Sequence, residues 1–267
     1  MIFSPHSSYL CILPIMISPK TYIYGRHAVK EAIQNAETAV EKVFVAPYFD
    51  DIEIKDLIKK KGISIAPLAP GKMPAGFDRD INATEAHQGI VALISVDKLL
   101  RPYKEFVEEL QIGDDTALVL LGELQDVQNV GAVIRSAAAF GIAGVLVPEH
   151  NQAPINGTVV KVSAGMAFRV PLVTIGNVNN AVRDLKDRGF RVYGLDGEAK
   201  HTVTKEVFDL PSLFILGNEA TGIREKTQEL CDKLISIPIS PRCESLNAAA
   251  STAVALYAWS AQHSKAL

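Results

Sequence analysis

Residues 117–147 read ALVLLGELQDVQNVGAVIRSAAAFGIAGVLV, and their pattern decides the fold. Residues 117–121 (ALVLL) are a continuous apolar run, as expected of a strand buried on both faces. A polar loop follows. Asn129 is placed to cap a helix that runs through Phe140 and stops at Gly141. Residues 144–147 (GVLV) then read as the next strand. Strand, helix and strand at this spacing form the unit of a parallel sheet.

Working outward, the same alternation continues. Residues 171–175, 191–195, 213–216 and 234–237 read as strands, and 178–188 and 223–231 as helices. A long alanine-rich helix spans 246–262. Upstream, 26–36 has helical spacing, with Ala28, Val29, Ala32 and Ile33 on one side. Residues 42–46 (KVFVA), 63–66 and 90–96 read as strands, and 51–61 as a helix ending in lysines and Gly62. The expected class is α/β with a mostly parallel sheet. The expected organisation is an extension over 1–19, a small α/β domain over 20–97, a charged linker over 98–115 and a larger domain over 116–267.

Composition bounds the rest. The chain has 267 residues, 48% hydrophobic and 21% charged, with a formal net charge of -3. This is a globular balance without an overall basic field. Three cysteines, Cys11, Cys231 and Cys243, make no disulfide framework and no zinc spacing. No metal is expected, and a reducing cytoplasm is the simplest setting. Residues 1–17 are apolar-rich, yet no Lys or Arg precedes Lys20, and Pro5 and Pro14 break the run. The segment reads as a disordered extension, or as an upstream start with Met16 as the true beginning. It is too short to span a bilayer, so no membrane partner is expected.

Parallel α/β sheets bind ligands in loops at the carboxyl ends of their strands. Three such loops are unusual here: 122–131 with Asn129, leading to Arg135; 217–222 with Gly217 and Glu219; and 238–247 with Ser245, Leu246 and Asn247. Singly, each has a plain structural reading. Asn129 is a helix cap, Arg135 a surface charge, 217–222 a turn, and Ser245 and Asn247 the start of a helix.

Together they resemble one family. DVQNVGAVIRSAAAFG (126–141), LGNEATGI (216–223) with CD (231–232), and ISIPISPRCESLNAAAS (235–251) are similar, in order, to the three motifs of the SpoU (TrmH-like) RNA ribose 2′-O-methyltransferases. YGRHAVKEA (24–32) and HQGIVA (87–92) look like the small substrate-binding domain of the subgroup that methylates a guanosine of 23S ribosomal RNA. Where the family often has Pro-His and Val-Ser-Val, this chain has Val127-Gln128 and Ala248-Ala249-Ala250.

The resemblance implies a parallel-sheet methyltransferase domain with a deep trefoil knot. It implies S-adenosyl-L-methionine (SAM) as cofactor, bound by Gly217, Ile237 and Leu246. Arg135, Asn129, Glu219, Ser245 and Asn247 would form the catalytic set, and Arg26, His27, His87 and Gln88 would meet RNA. It further implies a homodimer with the active site near the subunit interface. Transfer-RNA members usually lack such an N-terminal domain, so ribosomal RNA leads as substrate. A transfer-RNA enzyme and a non-catalytic RNA-binding protein of the same fold are the alternatives.

Overall fold

The computed structural model describes residues 20–69 and 87–267. The expected extension over 1–19, with Cys11 and Met16, lies outside the described residues.

The N-terminal part is a four-stranded sheet flanked by two helices. Its strands are β1 (Lys20–Tyr24), β2 (Val40–Val45), β3 (Ile65–Pro67) and β4 (Ile90–Ser95), and its helices α1 (Arg26–Asn35) and α2 (Ile52–Lys60). The sheet order is β1-β4-β2-β3, antiparallel at β1–β4 and β2–β4 and parallel at β2–β3. Alternation along the strands puts Ile23, Val43, Ala92 and Ile94 against Val29, Ile33, Ile54 and Ile58.

Residues 98–115 are more than a linker. Leu100–Pro102 forms β5, which pairs parallel with the edge of the larger sheet, and Tyr103–Glu109 forms α3. Phe106 and Val107 are buried under that sheet, and the Tyr103 hydroxyl donates to Asp184 Oδ2 at 2.7 Å. The stretch looks like a linker in composition because an edge strand and a one-sided helix leave most of their side chains in solvent.

The larger sheet has eight strands in the order β10-β12-β9-β11-β6-β7-β8-β5, with every pairing parallel. Its further strands are β6 (Ala117–Leu120), β7 (Gly144–Pro148), β8 (Leu172–Ile175), β9 (Arg191–Leu195), β10 (His201–Thr202), β11 (Ser212–Ile215) and β12 (Lys233–Ser236). The helices are α4 (Val127–Ala139), α5 (Gly157–Val162), α6 (Val178–Asp187), α7 (Glu225–Gln228) and α8 (Ala248–Ser260). Ala117, Val119 and Leu121 face the layer of α4, α5 and α8, with Val133, Ile134 and Trp259. Leu118 and Leu120 face the layer of α3 and α6, with Phe106, Val182 and Leu185. Burial on both sides is why residues 117–121 carry no polar alternation.

The cap of α4 is Asp126, whose side chain accepts from Gln128 N, and not Asn129. Asn129 falls inside the first turn, which frees its side chain for the site below. Asn247 does cap α8, accepting from Ala250 N at 2.7 Å.

The two parts share one continuous core, and polar contacts pin them together. Glu31 accepts from Arg169 Nε at 2.7 Å and Nη2 at 2.8 Å. Thr21 Oγ1 accepts from Gly157 N at 2.9 Å. Elsewhere, the Glu206 side chain, 1% exposed, joins three strands. It accepts from the Tyr193 hydroxyl on β9 (3.0 Å), His201 Nε2 on β10 (2.5 Å) and Lys233 Nζ on β12 (2.8 Å). Burial pushes its pKa up, but the bonds from Lys233, Tyr193 and His201 outweigh burial and hold it below its ordinary value. No helix among the described residues is long and apolar enough to cross a membrane.

Candidate active site

A cavity of about 630 Å³ opens where β9, β11 and β12 end at their carboxyl tips. The loops after β11 and β12 form most of its wall, and the start of α4 closes one side through Asn129. Gly217, Ile237 and Leu246, the expected cofactor residues, all line it, as do Asn129, Glu219, Ser245 and Asn247.

Glu219 ties the first loop to the second. Its Oε2 accepts from Gln125 N at 3.1 Å, and its Oε1 from Asn129 Nδ2 at 3.1 Å and Asp126 N at 3.3 Å. Partial burial raises its pKa, but these donors outweigh burial and leave it lowered. A carboxylate is the fitting residue, because it can accept on both oxygens at once. Asn218 adds a second tie. Its Nδ2 donates to the Glu123 carbonyl at 2.8 Å, while its Oδ1 accepts from Ala220 N and Thr221 N.

The two loops also cross at backbone distance. A Cβ on Gly122 would sit 1.7 Å from the Leu216 carbonyl oxygen, and within the second loop itself one on Gly217 would sit 2.4 Å from the Gly222 carbonyl carbon. Glycine is needed at both positions for close approach.

Arg135 is not brought into the cavity. It lies on the exposed side of α4, with no hydrogen-bond or ion-pair partner among the described residues. Six residues along a helix turn it about 120° from Asn129. The N-terminal residues form a separate cluster. Arg26 pairs with Asp50 and stacks 5.3 Å from the Phe49 ring centre, and His27 is exposed. Gln88 Oε1 accepts from Arg26 N, at the start of α1. His87, another expected RNA contact, is 7% exposed, its Nδ1 accepts from Gly89 N, and burial lowers its pKa.

The sequence reading missed a fourth loop. Leu195, Asp196, Gly197 and Glu198, after β9, line the cavity. Their place at the carboxyl end of a parallel strand was the available signal. With them, the lining holds four carboxylates, Asp196, Glu198, Glu219 and Glu244, and no Lys or Arg.

The family model described as the SpoU rRNA methylase family matches residues 116–257. The chain belongs to the SpoU rRNA methylase family. A second model, for RNA 2′-O ribose methyltransferase substrate binding, matches residues 22–98. The 23S rRNA (guanosine-2′-O-)-methyltransferase RlmB of Xanthomonas axonopodis pv. citri is 32% identical over 246 residues, 91% of this chain and 96% of that protein. The RlmB protein of Pectobacterium atrosepticum is 33% identical over 244 residues, 88% of this chain and 95% of that one. In three dimensions, the SpoU methyltransferase AviRb from Streptomyces viridochromogenes, solved in complex with AdoMet, has the same fold. The TM-score is 0.74 at 22% identity, covering 92% of this chain and 91% of that one. By class, a SpoU methylase with this substrate-binding domain is an RNA ribose 2′-O-methyltransferase, and the family's methyl donor is SAM.

Proposed function

We propose that this protein transfers a methyl group from SAM to the ribose 2′-hydroxyl of a guanosine in 23S ribosomal RNA. The observation that carries the proposal is the convergence of the loops after β9, β11 and β12 and the start of α4 on one cavity. The matches to RlmB proteins over about nine-tenths of the chain favour ribosomal over transfer RNA. In this reading residues 20–97 hold the substrate, 116–267 carry the chemistry, and the protein works in the cytoplasm.

The cavity fits the cofactor. Its volume of about 630 Å³ lies inside the range of ~300–1,000 Å³ used by small-molecule pockets. Leu216, Ile235, Ile237 and Leu246 supply apolar surface for a flat base. Carboxylates without a competing cation suit a ligand that carries a positive sulfonium and an ammonium. When bound, SAM supplies an electrophilic methyl carbon.

The chain's own residues do the rest. Asn129, oriented by Glu219, positions the ribose, and Ser245 and Asn247 hold RNA at the third loop. The attacking 2′-oxygen loses its proton and gains negative charge. Arg135 stabilises that charge, since a guanidinium is too weak an acid to serve as base. The proton passes to water or to an RNA phosphate. Arg135 stands outside the cavity of its own subunit, so a homodimer that brings a partner's α4 to the cavity mouth completes the site. Arg26, His27 and Gln88 meet RNA on the N-terminal domain.

Labelled SAM incubated with unmodified ribosomal RNA and unmodified transfer RNA tests the substrate. Label in ribosomal RNA supports the proposal. Label in transfer RNA alone discards the ribosomal substrate, and label in neither, with SAM bound, discards the catalytic reading.

A further inference from the structure

A second cavity, of about 270 Å³, opens at the carboxyl ends of β6, β7, β8 and β11. It lies on the α6 and α7 side of the sheet, while the larger one lies on the α4 and α8 side. Leu216 lines both, so the crossing of the first two loops is the partition between them.

Its apolar surface comes from half-buried Val178 and Ile223, set over the buried side chains of Leu120 and Ile215. Its rim is rich in donors. Asn179 Oδ1 accepts from Thr227 Oγ1 at 2.8 Å, and Asn177 Oδ1 from Asn180 N at 2.9 Å. Both carboxamides are thereby fixed, with their NH₂ groups unpartnered among the described residues. Arg224, its side chain 65% exposed, donates to Glu123 Oε2 from Nε at 2.9 Å and ion-pairs with it through Nη2 at 2.8 Å. Glu123 Oε1 keeps an acceptor for a ligand amine.

The backbone is held in costly conformations at the same place. Glu123 (φ 64°) and Asn151 (φ 55°) both line the cavity, and they are two of the four non-glycine residues with positive φ among the described residues. Gln125 Nε2 clamps both, donating to the Glu123 carbonyl at 3.0 Å and the Asn151 carbonyl at 2.7 Å. Strain fixed by its surroundings gathers at ligand sites.

Half-buried apolar side chains take a flat ring; the carboxamide NH₂ groups and Arg224 Nη1, which Glu123 leaves without a partner among the described residues, take carbonyl and phosphate oxygens. That is the chemistry of a nucleotide. A volume just under the ~300 Å³ of the smallest drug-sized pockets holds one such unit and no more. Sequence-specific proteins read RNA through unpaired bases splayed into pockets. We infer that this second cavity holds an unpaired nucleotide of the RNA substrate, a near neighbour of the methylated one. Its base lies against Val178 and Ile223, and its phosphate meets Arg224. The inference rests on the RNA substrate proposed above.

Two variants test it: Asn179→Leu, which replaces the carboxamide with an apolar side chain of the same branching, and the more exposed Arg224→Ala, which removes the cation. SAM affinity is measured by calorimetry, affinity for an unmodified ribosomal RNA fragment by fluorescence anisotropy, and kcat and KM on that RNA. In each variant RNA Kd and KM are expected to rise about tenfold, with kcat and SAM affinity within about twofold of wild type. Unchanged RNA affinity in Arg224→Ala, with SAM bound normally, overturns the inference. So does saturable binding of free guanosine monophosphate that the variants lose while RNA affinity stays, which assigns the cavity to a free nucleotide. A wild type that binds RNA but transfers no methyl group removes the proposed activity instead, and the anisotropy comparison still decides the cavity.

Discussion

Gly122→Ala places a methyl group where the first and second loops cross. The new Cβ would lie 1.7 Å from the Leu216 carbonyl oxygen and 2.9 Å from its carbon. Backbone cannot swing away as a side chain can, so β6 and β11 must part by more than an ångström. That separation strains the bond from Leu216 N to Leu120 O, now 3.0 Å. Loss of a backbone bond with its groups left buried costs about 1–3 kcal/mol, and overpacking a filled core costs ~1–3 kcal/mol more. The sum, about 2–6 kcal/mol, is a large part of the ~5–15 kcal/mol that holds a typical domain together. Thermal unfolding followed by far-UV circular dichroism should show Tm lower by about 4–24 °C for a chain of this size. SAM affinity should fall with it, because Leu216 and Gly217 line the cavity. Gly197→Ala is the control for the melting temperature alone, since its Cβ would meet nothing within 4 Å and its φ is not positive, although it lines the cavity. A Gly122→Ala protein that melts within about 2 °C of wild type and binds SAM normally would refute the crossing.

Arg135→Ala should lower turnover by about 100-fold or more while SAM affinity stays within about twofold, read by single-turnover methyl transfer and calorimetry. Gly217→Val should weaken SAM binding by about tenfold or more in calorimetry, since its Cβ would overlap Gly222 backbone at 2.4 Å. Glu206→Gln should destabilise the protein by about 2–3 kcal/mol at pH 7, less than a fully buried pair would because Lys233 and His201 are partly exposed. The folded Glu206 pKa is depressed, so its contribution is present above its unfolded value of ~4.3 and is lost as pH falls through the lower folded value. Urea titrations at descending pH should therefore show the variant and wild type converging only in acid.

Much of this organisation was legible in the sequence, for a physical reason. Strands buried on both faces are written as unbroken apolar runs, so β6, β7, β9 and β11 stand out within a residue or two of their ends. Helix stops were legible where Gly141 follows α4 and Gly62 follows α2. The site was legible only as a set, since no single residue of it departs from ordinary caps and turns. Two things escaped. Leu100–Pro102 and His201–Thr202 are short edge strands whose pairing depends on distant partners, so no local period marks them. Asn129 reads as a cap because Asp126 also can cap, and only the position of Glu219, ninety residues away, decides between them. His87 shows the converse: a polar residue beside a loop is buried by a turn whose shape composition does not reveal.

The position of the methyl group on the product is the most direct test of the central claim. RNA modified by the purified protein with isotopically labelled SAM is digested to nucleosides and analysed by mass spectrometry. The account expects label only in 2′-O-methylguanosine, with the mass increase on the ribose fragment. Label on the base fragment, or on the ribose of another nucleoside, would contradict it.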